Sequence, residues 1–320
     1  MKKRLNRPGS PRLVDRTIPG TDVVMQAYET PHDDAPKSRP YIFPPDQVRD
    51  VAIGVSHQMN IMLTGPTGCG KTSLPTAIAA VLGRPVIRFN CDGETRVSNI
   101  RGQNRPAAAD GVLTLQFEPG GFAEAIEAGY WVILDELDAA LPSVRFVLQP
   151  VLEEDNRTMF IPEIKKTILM GEHARIFATG NTIGYRAITR SQYAGTTMMN
   201  AAFLDRFGMV IAVDYPDKEQ EKKRILANVD FNKLQSDEAD DIAEGIARTA
   251  ELVRTDEKFT SDFSTRRCVQ WARLVNSYGI EGVPRAFRLA VTNKLESASD
   301  ARIALETMQR IFGYDSNVPE

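Results

Sequence analysis

Residues 60–73, NIMLTGPTGCGKTS, constrain what this chain can fold into more than any other stretch. A short apolar run ends before Gly65, and Gly70, Lys71 and Thr72 follow four residues further on. This is the spacing of a phosphate-binding loop, in which glycines let backbone N–H groups surround phosphate oxygens at the start of a helix. The alternative is a chance glycine-rich turn, but the Lys–Thr pair and the strand directly before the loop favour phosphate binding.

The residue types in this loop predict a nucleotide held together with a metal ion. Lys71 is expected to reach the β- and γ-phosphates, and the Thr72 hydroxyl is expected to bind Mg²⁺. The predicted nucleotide contacts come from the whole loop, which consists of Gly65, Pro66, Thr67, Gly68, Cys69, Gly70, Lys71 and Thr72.

Short apolar runs alternate with helix-length amphipathic stretches after residue 41, and this alternation predicts an α/β fold with a parallel sheet. After Pro216 the strand pattern ends and apolar residues recur at helical spacing. We therefore predict a large α/β domain at 41–215, with helices on both faces of the sheet, and a small all-α domain at 216–320. The five predicted strands are NIMLT (60–64), PVIRFN (85–90), YWVILD (130–135), ARIFATG (174–180) and MVIAVD (209–214).

Residues 1–40 are rich in proline, arginine and aspartate, which predicts a mobile or loosely docked arm. Its basic residues could contact a polyanion, although a solvated tail is the favoured interpretation. The whole chain has 39 basic and 42 acidic residues and a net charge of −3, so its overall charge does not call for nucleic acid or an anionic membrane. The basic residues of the arm are Lys2, Lys3, Arg4, Arg7, Arg12 and Arg16.

The apolar pattern and the cysteines predict a cytoplasmic protein that has no membrane-spanning segment. No apolar run approaches the ~20 residues that span a bilayer, and the start of the chain lacks the apolar segment of a secretion signal. The three cysteines form no CxxC pair and the three histidines are scattered, which favours a reducing compartment and disfavours a structural zinc site.

Three polar residues lie at the carboxyl ends of two of the predicted strands. Asp135 and Glu136 end YWVILDE, and Asn181 follows ARIFATG. Ligands of open α/β sheets bind at the carboxyl ends of the strands. We expect Asp135 to hold the Mg²⁺ ion, Glu136 to orient and polarise the attacking water, and Asn181 to contact the γ-phosphate or that water. Each residue alone could be a solvated strand end, but their order after a phosphate loop predicts hydrolysis.

The stretches DELDAALPSVRFVLQPVLEE, FATGNTIG, YAGT, NAAFLDRF, STRRCVQWA and VPRAFRLAVTNKLE resemble AAA+ ATPases of the MoxR-like, dynein-related branch. The resemblance runs from about residue 41 to about 315. Asp138-Ala139 stands where MoxR proper usually has Asn-Arg, so the sequence is most similar to the ATPase subunits of aerobic cobaltochelatases. The resemblance implies an AAA+ fold with a helical lid domain, ATP as the nucleotide, and assembly into a ring of identical subunits, expected to be a hexamer.

The same resemblance assigns roles to residues that their pattern alone leaves open. Arg206 matches the arginine finger that enters the neighbouring subunit's site, and Arg266 matches the lid sensor, with Arg267 as the alternative. Arg157 is a further candidate for contact across a subunit interface. Hairpin inserts are expected near 101–119 and 155–174, where they either grip a partner or form surface ribbons. For each arginine the alternative is an ordinary surface ion pair.

The resemblance also implies a separate partner protein that carries a von Willebrand A-type metal-binding domain, because this chain has no Asp-x-Ser-x-Ser motif. The expected function is hydrolysis of ATP to remodel or activate that partner. The alternatives are a nucleic-acid-linked motor, a nucleotide-gated scaffold and an activase of a metabolic enzyme. Few basic and aromatic residues in the first insert disfavour nucleic acid, and intact Asp135, Glu136 and Arg206 disfavour the scaffold.

Overall fold

The computed structural model describes residue 5 and residues 11–109, 112–181 and 199–314. The chain forms two compact units. The described residues of the first unit fall within 1–39, 43–65 and 71–213, and those of the second fall within 40–42, 66–70 and 214–320. The basic residues Lys2, Lys3, Arg4 and Arg7 and the YAGT stretch lie outside the described residues.

The first unit contains both strands and helices. In chain order they are β1 (Leu13–Thr17), β2 (Val24–Tyr28), α1 (Pro45–Ser56), β3 (Ile61–Thr64), α2 (Ser73–Leu82), β4 (Val86–Asn90), α3 (Val97–Arg101), β5 (Gly102–Ala109), β6 (Val112–Pro119), α4 (Gly121–Ala128), β7 (Trp131–Asp135), α5 (Pro142–Leu152), β8 (Thr158–Ile161), β9 (Lys166–Leu169), β10 (Arg175–Gly180), α6 (Ala201–Leu204) and β11 (Met209–Ala212).

Five strands form the central parallel sheet, in the order β11-β3-β10-β7-β4. All of β7 is buried, as a strand covered on both faces must be. Helices α4 and α5 contribute to the apolar core on the face that carries Val132 and Leu134. On the other face, α1 approaches so closely that a Cβ atom on Gly54 would lie 2.7 Å from the Ile61 Cδ1 atom. The predicted five-stranded parallel sheet with helices on both faces is confirmed.

The N-terminal segment forms a hairpin, and the prediction of a loosely docked arm is wrong for residues 11–39. Strands β1 and β2 pair antiparallel, and Ile18 and Tyr28 are buried at 0% and 1% exposure. The Arg84 guanidinium lies 4.6 Å from the centre of the Tyr28 ring and donates a hydrogen bond to the Gln26 carbonyl. These strands are only five residues long and sit among proline, glycine and aspartate, so their alternation is too short to stand out in the sequence.

Two antiparallel ribbons lie within the stretches predicted as hairpin inserts, outside the central sheet. Strand β5 pairs with β6, and β8 pairs with β9. The first ribbon exposes Leu113 and Leu115, at 77% and 73% of their surface. At its base the backbone is tightly packed, since a Cβ atom on Gly120 would lie 2.3 Å from the Ile100 carbonyl oxygen. The base of the ribbon is therefore held rigidly by this packing.

The second unit is mainly helical between residues 218 and 312, as the sequence predicts for the region that follows the sheet. Trp271 is fully buried at its centre, and the Phe287 ring packs against it with the ring centres 4.7 Å apart. Ser264 caps the first turn of one helix by accepting the N–H of Arg267. The helices are α7 (Lys218–Asn228), α8 (Ser236–Thr255), α9 (Thr265–Tyr278), α10 (Val283–Ala290) and α11 (Ala298–Phe312).

Within the described ranges, every helix is too short or too polar to span a bilayer.

Candidate nucleotide site

The phosphate loop joins β3 to α2, and its glycines take backbone conformations that other residues rarely adopt. The φ angles of Gly68 and Gly70 are 72° and 115°. Lys71 is buried, and its Nζ atom donates to the Gly65 carbonyl at 2.8 Å, which draws the two ends of the loop together. Helix α2 begins at Ser73, so its free N–H groups stand directly behind the loop. This geometry suits an anion.

Asp135 lies at the carboxyl end of β7 and is the centre of a cluster of hydroxyl groups. The Thr72 hydroxyl donates to Asp135 Oδ1 at 2.7 Å. The Thr179 hydroxyl donates to the same oxygen and accepts the backbone N–H of Glu136 at 3.1 Å. Strand β10 lies beside β7 in the sheet, so adjacent parallel strand ends bring these groups together. The structure therefore joins Thr72 and Asp135, the two predicted metal ligands.

The Glu136 backbone has a φ angle of 56°, the left-handed conformation. Such a conformation costs roughly 1–3 kcal/mol for a non-glycine residue, and such strain concentrates at functional sites. The Glu136 side chain is exposed, whereas Asp135 beside it is buried. The two acidic residues therefore have different surroundings, one fixed among hydroxyl groups and the other open to water.

Asn181 lies against Lys71, as expected for two groups that act on one phosphate. The Lys71 Nζ atom donates to Asn181 Oδ1 at 2.9 Å. The Asn181 backbone N–H donates to Asp138 Oδ2, also at 2.9 Å, and Asp138 is only 1% exposed. Asp138 therefore fixes the residue that follows β10. The sequence did not reveal this role, because Asp138 was used there only to tell MoxR proper from cobaltochelatase-like proteins.

Two further residues near this cluster were missed in the sequence. Arg88, on β4, forms an ion pair with Asp135 through its Nη2 atom. Thr179 is a hydroxyl-bearing residue in an otherwise apolar strand directly before Gly-Asn, which was a usable signal. For Arg88 the only signal was a charged residue inside a predicted buried strand. The contacts of both residues with Asp135 can be recognised only when the neighbouring strands β4, β7 and β10 are known.

Arg206 follows α6 and is paired within its own chain. Its Nε and Nη2 atoms contact Glu153 Oε1 at 2.8 and 2.7 Å, and a third nitrogen donates to the Ala202 carbonyl. Arg157 donates to the carbonyl oxygens of Glu153 and Gln58, and burial lowers its pKa. The hydrogen bonds that join Lys71, Thr72, Asp135, Thr179 and Asn181 do not include either arginine.

The two candidate lid arginines lie in the second unit, which also contains residues 66–70 of the phosphate loop. A Cβ atom on Gly68 would lie 3.9 Å from the Cβ atom of Arg266. Burial lowers the pKa of Arg267, whose Nη2 atom donates to the Lys294 carbonyl at 3.4 Å and whose Nη1 atom has no hydrogen-bond partner among the described residues. Arg266 is therefore the one beside the loop.

Known proteins match both the sequence and the fold around this site. Residues 60–207 match the family model of the AAA domain, dynein-related subfamily. This part of the chain is similar to a dynein-related AAA domain. The similarity confirms the resemblance to dynein-related AAA+ proteins and the ATPase activity that the motifs predict.

Among the relatives, the aerobic cobaltochelatase subunit CobS of a Sinorhizobium species is 28% identical over 299 residues, which cover 92% of this chain and 88% of that protein. Midasin of Dictyostelium discoideum is 36% identical over 168 residues, but these cover 52% of this chain and 3% of midasin. Among solved structures, a closed state of Hsp104 has a TM-score of 0.50 at 17% identity and covers 77% of this chain and 45% of that chain. The Hsp104 likeness concerns the fold alone.

Proposed function

We propose that this ATPase hydrolyses Mg²⁺-bound ATP between subunits of a homo-oligomeric ring and uses the energy to remodel a partner protein. The contact of Thr72 with Asp135 carries the proposal, because it joins the end of the phosphate loop to the acidic strand end. Lys71 and the backbone of residues 65–72 bind the phosphates, and Glu136 takes the proton of the attacking water. Asn181 positions that water or the γ-phosphate.

The oxygen atoms around Asp135 fit a magnesium ion. A hydroxyl and a carboxylate oxygen 2.7 Å apart are hard ligands, and Mg²⁺ is commonly held by one or two carboxylates together with substrate phosphates. The described residues contain no group of three or more His, Cys, Asp or Glu side chains suited to a metal. Thr72 and Asp135 would hold the ion, which would supply positive charge to neutralise the phosphate oxygens.

The resemblance to CobS supports a role for this chain as the ATPase subunit of a metal chelatase. It extends over 92% of this chain, well beyond the AAA domain itself. We propose a separate partner chain with a von Willebrand A-type domain, a hexameric ring and a cytoplasmic location. A nucleic-acid-linked motor and an activase of a metabolic enzyme are the alternative functions.

Separate loss of binding and of hydrolysis tests the proposed site. Lys71→Ala should abolish ATP binding, because the mutation removes both the charge and the contact with Asn181. Glu136→Gln should bind ATP and lose turnover by ~10²–10⁴-fold, the usual contribution of a general base. Isothermal titration gives the binding, and phosphate release gives the turnover. Glu163→Gln, an acidic residue between β8 and β9, is the matched control and should resemble the wild type. If Glu136→Gln keeps more than about a tenth of the turnover, another group activates the water.

A further inference from the structure

Tyr215 contacts the phosphate loop, and both Tyr215 and loop residues 66–70 belong to the second unit. Its hydroxyl donates a hydrogen bond to the Thr67 carbonyl oxygen at 2.8 Å. Thr67 is the third residue of the loop, and Tyr215 follows the last strand of the sheet by three residues. The motif that predicts the loop contains no signal for this contact, because the two residues are 148 positions apart.

The ring of Tyr215 is held in place by a buried ion pair. The Arg254 guanidinium on α8 lies 4.2 Å from the ring centre. Arg254 Nη1 contacts Glu221 on α7 at 2.7 Å, and Arg254 Nε donates to the Phe263 carbonyl at 2.8 Å. The side chains of Arg254 and Glu221 are 11% and 1% exposed, so this pair has a fixed geometry rather than a solvated one. Three parts of the helical unit therefore determine where the Tyr215 hydroxyl sits.

This hydrogen bond fixes the orientation of the Thr67–Gly68 peptide group in the phosphate loop. In a planar trans peptide the C=O and the following N–H point in opposite directions. When the Thr67 carbonyl is held towards Tyr215, the Gly68 N–H must therefore face the other way. Gly68 packs closely against the residue before α9, since a Cβ atom there would lie 2.7 Å from the Ser264 Cβ atom. The orientation of this N–H donor is thus set before a phosphate arrives.

We propose that Tyr215 is a positioning residue for nucleotide binding, acting through the Thr67–Gly68 peptide, and that Arg254 and Glu221 hold it in place. The inference rests on the proposed function, because it requires ATP to occupy the loop. A preset donor costs less to order on binding, so the contact strengthens ATP affinity without touching the reacting atoms. The coupling is reciprocal: bound ATP stabilises the arrangement of α7 and α8 that holds Tyr215.

Removal of the Tyr215 hydroxyl alone tests this proposal. Tyr215→Phe should weaken ATP binding by ~3- to 10-fold, the usual net effect of one hydrogen bond, and raise KM by a similar factor. The turnover at saturating ATP should stay within about twofold of the wild type, because the groups around Asp135 are unchanged. Tyr278→Phe is the matched control. Tyr278 ends α9 and has the Arg285 guanidinium 5.0 Å from its ring centre, an arrangement similar to that of Tyr215. Removal of its hydroxyl should leave the affinity for ATP unchanged.

A second substitution tests whether Arg254 acts through Tyr215. Arg254→Lys keeps a positive charge beside the buried Glu221 carboxylate, so the protein should stay folded, but it loses the planar group over the ring. ATP binding should weaken by a few-fold, and adding Arg254→Lys to Tyr215→Phe should produce little further loss, because both act through one contact. Circular dichroism melting checks that each variant is folded.

The outcomes separate this inference from the function on which it rests. If the wild type binds ATP while Tyr215→Phe binds it equally well, or if the two substitutions are fully additive, the positioning role is overturned and the ATP site stands. If the wild type and Lys71→Ala both fail to bind ATP, the proposed site itself is wrong, and the role of Tyr215 is overturned with it.

Discussion

Thr179 bonds to two consecutive residues at the carboxyl end of β7, the Asp135 carboxylate and the Glu136 backbone N–H. It is 1% exposed, its hydroxyl donates to Asp135, and it accepts the Glu136 N–H. Thr179→Val keeps the shape and removes the hydroxyl, which leaves the Glu136 N–H without its acceptor. Such a loss costs about 1–3 kcal/mol. We expect turnover to fall roughly tenfold or more and the Mg²⁺ requirement to rise, while ATP binding stays close to that of the wild type.

Thr179→Ser is the control for this prediction, because serine keeps the hydroxyl and should retain most of the turnover. Phosphate release measured across a Mg²⁺ titration distinguishes the two variants. Wild-type turnover in Thr179→Val would show that the hydroxyl does not position Asp135 and Glu136 for the reaction.

The residues of the site differ in how far the sequence could reveal them. Lys71 and Thr72 belong to a local motif, and Asp135, Glu136 and Asn181 each lie at the end of an apolar strand or directly after it. Thr179, Arg88 and Asp138 gain their partners only when parallel strands lie side by side, and no local pattern records which strands are neighbours. Likewise, only the position of Gly68 beside the start of α9 shows that Arg266, rather than Arg267, lies next to the loop.

At the scale of elements, the five strands were predictable because a strand covered on both faces is a continuous apolar run. The β1–β2 hairpin was not, because its burial comes from single positions between exposed ones. Ile18 and Val24 show the contrast, at 0% and 54% exposure. A mobile arm would tolerate changes at either position equally. The observed hairpin would tolerate a change at Val24 but not at Ile18.

Truncation of these two side chains therefore tests the hairpin. Ile18→Ala should lower the free energy of unfolding by about 2–5 kcal/mol, as for other large-to-small changes at fully buried sites. Val24→Ala, on the exposed side, should change it by less than about 0.5 kcal/mol. Urea unfolding followed by circular dichroism gives both values. Equal, near-zero effects would restore the interpretation of a loosely docked arm.

At the scale of the whole molecule, the proposed ring requires Arg206 to leave its partner in its own chain. The side chains of Arg206 and Glu153 are 24% and 49% exposed. Ion pairs of this exposed kind typically contribute only about 0.2–1 kcal/mol. An arginine finger is worth about 10³–10⁵ in rate, which is several kcal/mol of transition-state stabilisation. Breaking the Glu153 pair is therefore a small cost against what Arg206 would contribute in a neighbouring site.

Assembly should depend on nucleotide if ATP bridges two subunits. We expect light scattering to show a larger species with ATP than without it, and the shift should be strongest for Glu136→Gln, which keeps ATP bound. Lys71→Ala should show no shift and serves as the control. A protein that stays monomeric in every nucleotide state would exclude the ring.

A mixture of two inactive variants tests whether Arg206 acts in trans. Arg206→Ala should bind ATP with near-normal affinity and hydrolyse it poorly, whereas Lys71→Ala keeps its arginine but binds no ATP. When the two are dissociated and reassembled together, some interfaces pair an intact phosphate loop with an intact arginine, and those interfaces should recover part of the turnover. Glu153→Gln, which removes the charge that Arg206 contacts in its own chain, should retain turnover. If mixed rings form and wild type survives the same treatment, yet the mixture stays inactive, then Arg206 acts within its own subunit.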